Sequence, residues 1–139
     1  MRPETLLDFM GVAEHLKCNM RHSRMTDHRR ESVAEHTYRL CVFAWLVKEE
    51  FPDCDMDKVM KMCLFHDLGE ALTGDIPAFV KTDDDRKTEG DALTLLTAML
   101  PGKERQELDE LFGELEREET MEAKIVHALD KMETLIQHN

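Results

Sequence analysis

Residues 63–75 read "CLFHDLGEALTGD". Cys63, Leu64 and Phe65 continue an apolar helical pattern, and His66 and Asp67 then interrupt it side by side. Two polar, ligand-type groups in such a setting are costly unless something compensates them. On a helix they stand about 100° apart, so both reach one point only where two helices converge.

The stretches on either side are helical too. "TLLDFMGVAEHL" places Leu6, Phe9, Met10, Ala13 and Leu16 on one stripe, which predicts a first helix over about residues 4–17. From Cys18 to Arg30 the period fails, and "CNMRHSRMTDHRR" reads as an ordered, cation-rich loop. "ESVAEHTYRLCVFAWLVKEEF" predicts a long central helix over about 32–50, with Ser32 as N-cap, Glu35 completing a capping box and Pro52 beyond its end. A third helix is predicted over about 55–69, opening on acids and breaking at Gly69.

"EALTGDIPAFVK" reads as a short structured connector, and "KTDDDRKTEG", broken by Gly90, as a solvated segment suited to a lid. Helices over about 88–100 and 103–117 follow, parted by Pro101-Gly102, and a last one begins near Thr120. No strand-like alternation or repeat is visible. The expectation is an all-α bundle of about six helices forming one domain over residues 1–139, shortened at its C-terminus because the last helical pattern meets no Gly or Pro stop.

Composition narrows the partners. With 18 Lys and Arg against 30 Asp and Glu, the formal net charge is −12, so the average surface repels a nucleic-acid polymer or an anionic membrane. The four cysteines show no CxxC spacing, which favours reduced thiols and a cytoplasmic protein over a disulfide framework or zinc knuckle. No apolar run reaches the roughly 18 residues of a membrane span. The methionines, such as Met56, Met60 and Met62, read as packing.

A metal site in a helical bundle must collect ligands from several helices, since one helix offers a face and not an enclosure. His36, on the first turn of the central helix between Val33 and Leu40, is one candidate, and the His66-Asp67 doublet supplies two more. Asp130, four residues after Val126 and beside Leu129 in "IVHALDKMETLI", is the fourth. Two imidazoles and two carboxylates around one divalent ion would satisfy all four groups and leave positions open for water and substrate.

The order His36, His66-Asp67, Asp130 resembles the HD-domain phosphohydrolase superfamily. Together "ESVAEH", "FHDLGEALTGDIPAFVK" and "HALDKME" are similar to its small 5′-deoxynucleotidase-like branch over nearly the whole chain. The resemblance implies a metal site at the centre of the bundle, with one divalent ion, manganese or cobalt first and magnesium, zinc, iron or nickel as alternatives, on His36, His66, Asp67 and Asp130. It implies Glu70 as the acid or base that handles the proton of the attacking water, with Asp67 catalytic as well as ligating. Asp75, Ile76, Pro77 and Ala78 match the loop that holds the nucleotide's sugar, and Arg21 falls where an arginine grips the 5′-phosphate. His22 stands where those deoxynucleotidases carry a tryptophan.

The expected activity is therefore hydrolysis of a nucleoside 5′-monophosphate or similar small phosphate ester. The alternatives are another HD chemistry, on a nucleoside triphosphate, cyclic nucleotide or alarmone, and a non-catalytic helical module that binds metal or nucleotide. A homodimer through an exposed Met- or Leu-rich face is the expected assembly.

Overall fold

The computed structural model describes residues 1–74 and 82–138. Six helices of ten residues or more stand among them: α1 (Pro3–Cys18), α2 (Val33–Leu46), α3 (Met56–Phe65), α5 (Asp83–Ala98), α6 (Gly102–Arg117) and α7 (Met121–His138). A one-turn helix, α4 (Glu70–Thr73), follows α3. None of the helices is long and apolar enough to cross a membrane, among the described residues.

The core forms where α2, α3 and α7 pack against one another. Val33, Leu40 and Ala44 from α2, Val59, Met62 and Cys63 from α3, and Ile125, Val126 and Leu129 from α7 are buried there. Leu96 of α5 and Leu108, Leu111 and Leu115 of α6 extend it. Helix α2 begins with the expected box: Glu35 N donates to Ser32 Oγ at 3.1 Å and Ser32 N to Glu35 Oε1 at 2.8 Å. It is central along one side only. Tyr38, Trp45 and Leu46 are exposed, and Lys48 Nζ sits 3.9 Å above the Trp45 ring.

Five local expectations are corrected. In α1 the inward stripe is Phe9, Val12 and Leu16, while Leu6 and Met10 face solvent. The cation-rich loop is a hairpin: β1 (Met20–Arg24) pairs antiparallel with β2 (Arg30–Ser32). Strands of five and three mostly polar residues are too short to show an alternation, and such a hairpin is marginal alone. It is held along α7, where Arg21 donates to Thr134, Gln137 to the Arg24 carbonyl, and Ser23 meets His138. Helix α2 ends at Leu46, and the remaining turn, Lys48–Glu50, is a 3-10 helix.

Helix α3 ends at Phe65, before His66. The chain continues through i→i+3 bonds (Leu68 N to Phe65 O, Glu70 N to Asp67 O, Ala71 N to Leu68 O, each 3.0 Å) into α4. Gly69 therefore does not break the helix; it stays in the right-handed region. Its purpose is room, since a Cβ there would lie 3.2 Å from Leu93 Cδ2 of α5.

The acidic segment is solvent-exposed, as expected, but it is the helical start of α5 rather than a loop. Thr82 and Asp85 form a second capping box, and Asp83, Asp84 and Asp85 sit at the positive end of the helix dipole. Gly90 lies inside the same helix. The sugar-loop residues Asp75, Ile76, Pro77 and Ala78 lie outside the described residues.

Candidate metal centre

Mutual packing of α2, α3 and α7 carries three separated stretches of sequence to one point. His36 projects from the first turn of α2, His66 and Asp67 from the turn that leaves α3, and Asp130 from the middle of α7. Each offers one ligand atom, and all four atoms lie within 4.8 Å of one another. His36 Nε2 is 2.7 Å from Asp130 Oδ1 and 3.7 Å from Asp67 Oδ2. His66 Nε2 is 2.9 Å from Asp67 Oδ2 and 3.4 Å from Asp130 Oδ1.

This donor set fits a divalent ion. His66 Nδ1 is 2.8 Å from the Cys63 carbonyl, which can only accept, so Nδ1 carries the hydrogen. In the neutral ring Nε2 then presents its lone pair to the cluster. That Nε2 is buried and makes no well-formed hydrogen bond within the described residues; its approaches to Asp67 and Asp130 are ion-pair contacts. Two nitrogens and two carboxylate oxygens suit Mn, Fe, Co or Zn.

Without the ion the charges pair among themselves. Burial alone would lower the His36 pKa, but hydrogen bonds to Asp130 and Glu133 outweigh it, and the ring is pushed up to about 9. Burial likewise opposes the charged form of His66, and Asp67 and Asp130 override it, so His66 is also raised. Against their own desolvation, the imidazoles hold Asp67 and Asp130 below the usual carboxylate range.

Arg21 borders the cluster. Its Nη1 is 3.9 Å from Asp67 Oδ2, its Nη2 donates to Thr134 Oγ1 at 3.1 Å, and its Nε is 3.0 Å from Glu31 Oε1. His22, the next residue of the strand, is exposed. Glu70 follows Asp67 by three residues in a 3-10-type turn, where positions i and i+3 eclipse. Its backbone is fixed by Asn19 Nδ2, which donates to the Glu70 carbonyl at 2.5 Å.

Three residues around this centre were not singled out by their sequence: Glu31, Glu133 and Arg39. Glu133 is 1 % exposed and Glu31 2 %, although each sits in a polar stretch that reads as surface. Glu133 Oε2 lies 2.5 Å from His36 Nδ1, and its Oε1 accepts from Arg39 Nε at 2.9 Å. Burial, with the like charge of Glu133 beside it, raises the Glu31 pKa, and Arg21 opposes the rise. Glu31, His36 and Glu133 form a second group of metal-ligand type. Two guanidiniums already neutralise both of its carboxylates, so it does not call for a second cation.

A model of the HD domain family matches residues 13–139. Human 5′-deoxynucleotidase HDDC2 is 36% identical over 111 residues, which cover 78% of this chain and 53% of the human one. The Xenopus laevis protein of the same name is 33% identical over 139 residues, 96% of this chain and 68% of that one. This chain thus spans about half the length of its human relative. A crystal structure described as a "predicted metal-dependent phosphohydrolase" from Magnetospirillum magnetotacticum superposes with a TM-score of 0.87 at 30% identity, covering 98% of this chain and 70% of that one. With four side chains of metal-ligand type brought together and the family match running over nearly its whole length, the chain belongs to the HD domain family.

Proposed function

We propose that this chain is a metal-dependent phosphomonoesterase that hydrolyses nucleoside 5′-monophosphates, with residues 1–139 acting as one domain. The observation that carries the reading is the arginine beside the cluster: a guanidinium anchored at Nε and Nη2 with Nη1 at the edge of a four-donor site. An arginine so held is pre-organised to bind phosphate oxygens. The 5′-deoxynucleotidase names of the relatives support the choice of substrate.

His36, His66, Asp67 and Asp130 would hold the ion. When bound, it neutralises phosphate charge and lowers the pKa of water toward 7. Arg21 binds the phosphate and is kept in place by Glu31 and Thr134. Glu70 accepts the proton of the attacking water as the new P–O bond forms and returns it to the sugar oxygen as the bond from phosphorus to that oxygen breaks; the products are nucleoside and inorganic phosphate. Asp75 and Ile76 to Ala78 contact the sugar in this reading, and His22 lies beside the phosphate arginine in the chain. Manganese or cobalt is the first choice of ion.

The test is phosphate release from a panel of ribo- and deoxynucleoside 5′-monophosphates, with Mn²⁺, Co²⁺, Mg²⁺ or Zn²⁺ added to metal-stripped protein. Release should need metal. Glu70→Gln should lower kcat by about 10²–10⁴-fold while still binding metal, and His66→Ala should lose metal and activity together. Stoichiometric metal binding with no turnover of any nucleotide or generic phosphoester would sink the hydrolase reading.

A further inference from the structure

The two candidate metal-ligating histidines are held at their outer nitrogens in different ways. His66 Nδ1 donates to a neutral carbonyl, that of Cys63. His36 Nδ1 faces a carboxylate, Glu133 Oε2, and the other oxygen of that carboxylate is taken by Arg39 Nε. We propose that Glu133, clamped by Arg39, is the positioning residue that fixes the His36 ring and tautomer for the ion. The proposal rests on the metal-centre reading of the cluster.

Three features support it. Each oxygen of Glu133 has its own partner, so the carboxylate cannot swing without breaking a charge-assisted hydrogen bond. His36 is fully buried and Glu133 1 % exposed, so water cannot replace either partner. With Nδ1–H committed to Glu133, the neutral ring presents its Nε2 lone pair toward Asp67 and Asp130. A carboxylate acceptor also makes the imidazole a stronger donor to a metal than a carbonyl does, so His36 becomes the tighter of the two nitrogen ligands.

Glu133 lies on the same face of α7 as Asp130, three residues on, so one helix carries both a ligand and the support of another ligand. Arg39 comes from α2, three residues past His36, and the clamp closes between these two helices. Glu31 approaches the same side from β2, where Arg21 neutralises it. The Arg39 side chain is 45% exposed and lines a surface cavity of about 610 Å³ with Arg29, Tyr38 and Gln137. Arg39 can therefore be replaced without opening the core.

A plain structural tie between α2 and α7 would show the same contacts, so the test must read the metal. Co²⁺ is titrated into metal-stripped protein, and affinity is followed by visible absorption. Proton NMR of the Co²⁺ form then looks for solvent-exchangeable, paramagnetically shifted Nδ1–H signals, one from each histidine. Glu133→Met, which removes the acceptor, should weaken Co²⁺ binding by about 10–100-fold and abolish the His36 signal while the His66 signal stays. Glu133→Gln keeps an acceptor and should keep the signal with a smaller loss of affinity. Arg39→Gln should keep both signals and weaken binding less than Glu133→Met.

Glu133→Met that binds Co²⁺ within twofold of the parent with both signals intact would overturn the proposal, and a lower melting temperature alone would assign Glu133 to the structural tie. If Glu133→Met does not fold, Glu133→Gln decides: a folded protein without the His36 signal overturns the proposal, and one with it supports it. A parent protein that binds no Co²⁺ would remove the metal-centre reading together with this one, whereas parent binding matched by Glu133→Met removes this one alone.

Discussion

Affinity for the metal should rise steeply with pH, because the two imidazoles of the candidate centre are raised toward protonation and an ion must displace those protons. His36 is pushed up to about 9, its desolvation outweighed by Asp130 and Glu133. At pH 7 the ring is about two units below that value. Freeing it costs about tenfold in apparent affinity per unit, so roughly 100-fold, on the order of 3 kcal/mol, at pH 7. At pH 8 the cost is about tenfold. His66 is shifted in the same direction, so the slope of log affinity against pH should lie between one and two below pH 9.

The assay is competition with a chromophoric chelator of known pH dependence, from pH 6.5 to 9. The metal-free protein should respond with the opposite sign. His36 has a folded pKa above its ordinary 6.5, so its stabilising contribution is complete below pH 6.5 and disappears as pH rises through 9. The melting temperature of the stripped protein should therefore fall over this window, while the gain from a fixed concentration of ion grows. Affinity that is flat from pH 6.5 to 9 would refute the account of the cluster as a proton store.

Three further outcomes follow from single contacts. Glu31→Ala, which frees the Nε side of Arg21, should raise KM for a nucleoside monophosphate while Co²⁺ affinity stays within a few-fold; an unchanged KM would show that Arg21 needs no anchor there. Gly69→Ala brings a methyl to 3.2 Å from Leu93 Cδ2, a half-buried side chain, against a gain of about 0.4–1 kcal/mol from the stiffer unfolded chain, and should leave stability in urea unfolding within about 1 kcal/mol of the parent; a larger loss would mean that Leu93 cannot yield. Hydrogen bonds from Arg29, then from the Ser32 backbone, hold Glu35 at a pKa of about 2. That contribution is present above about pH 4.5 and is lost as pH falls toward 2, so Arg29→Ala should flatten the acid limb of stability against pH, and an identical limb would contradict it.

What could be read from the sequence was local, and what escaped was carried by distant partners. The Ser32–Glu35 box is encoded within four residues, and the structure forms it with both hydrogen bonds. The same signature stands at Thr82–Asp85, but three consecutive acids and a glycine at 90 carry the composition of a breaker, and the helix dipole that favours acids in a first turn leaves no mark on composition. Gly69 looked like a stop because glycine reports on backbone freedom; its actual constraint is a leucine 24 positions away, which no local pattern contains. His36, His66, Asp67 and Asp130 drew notice because each interrupts an apolar period, and folding brings these four together.

Glu31 and Glu133 interrupt nothing. A glutamate in "RRESVAEH" or "DKMETL" looks like any surface acid, and its burial follows from Arg21 and Arg39, brought near by a hairpin and a helix pair. One weak sign was present in the spacing. A second acid three residues after a suspected ligand shares its helix face, and on a face already turned inward a carboxylate must find a donor. Glu133 finds two, and one of them is an imidazole of the cluster. That places the four clustered donors within reach of pattern reading and their buried partners within reach only of packing: the donors betray themselves by being polar where the chain should be apolar, whereas Glu31 and Glu133 are polar among polar neighbours.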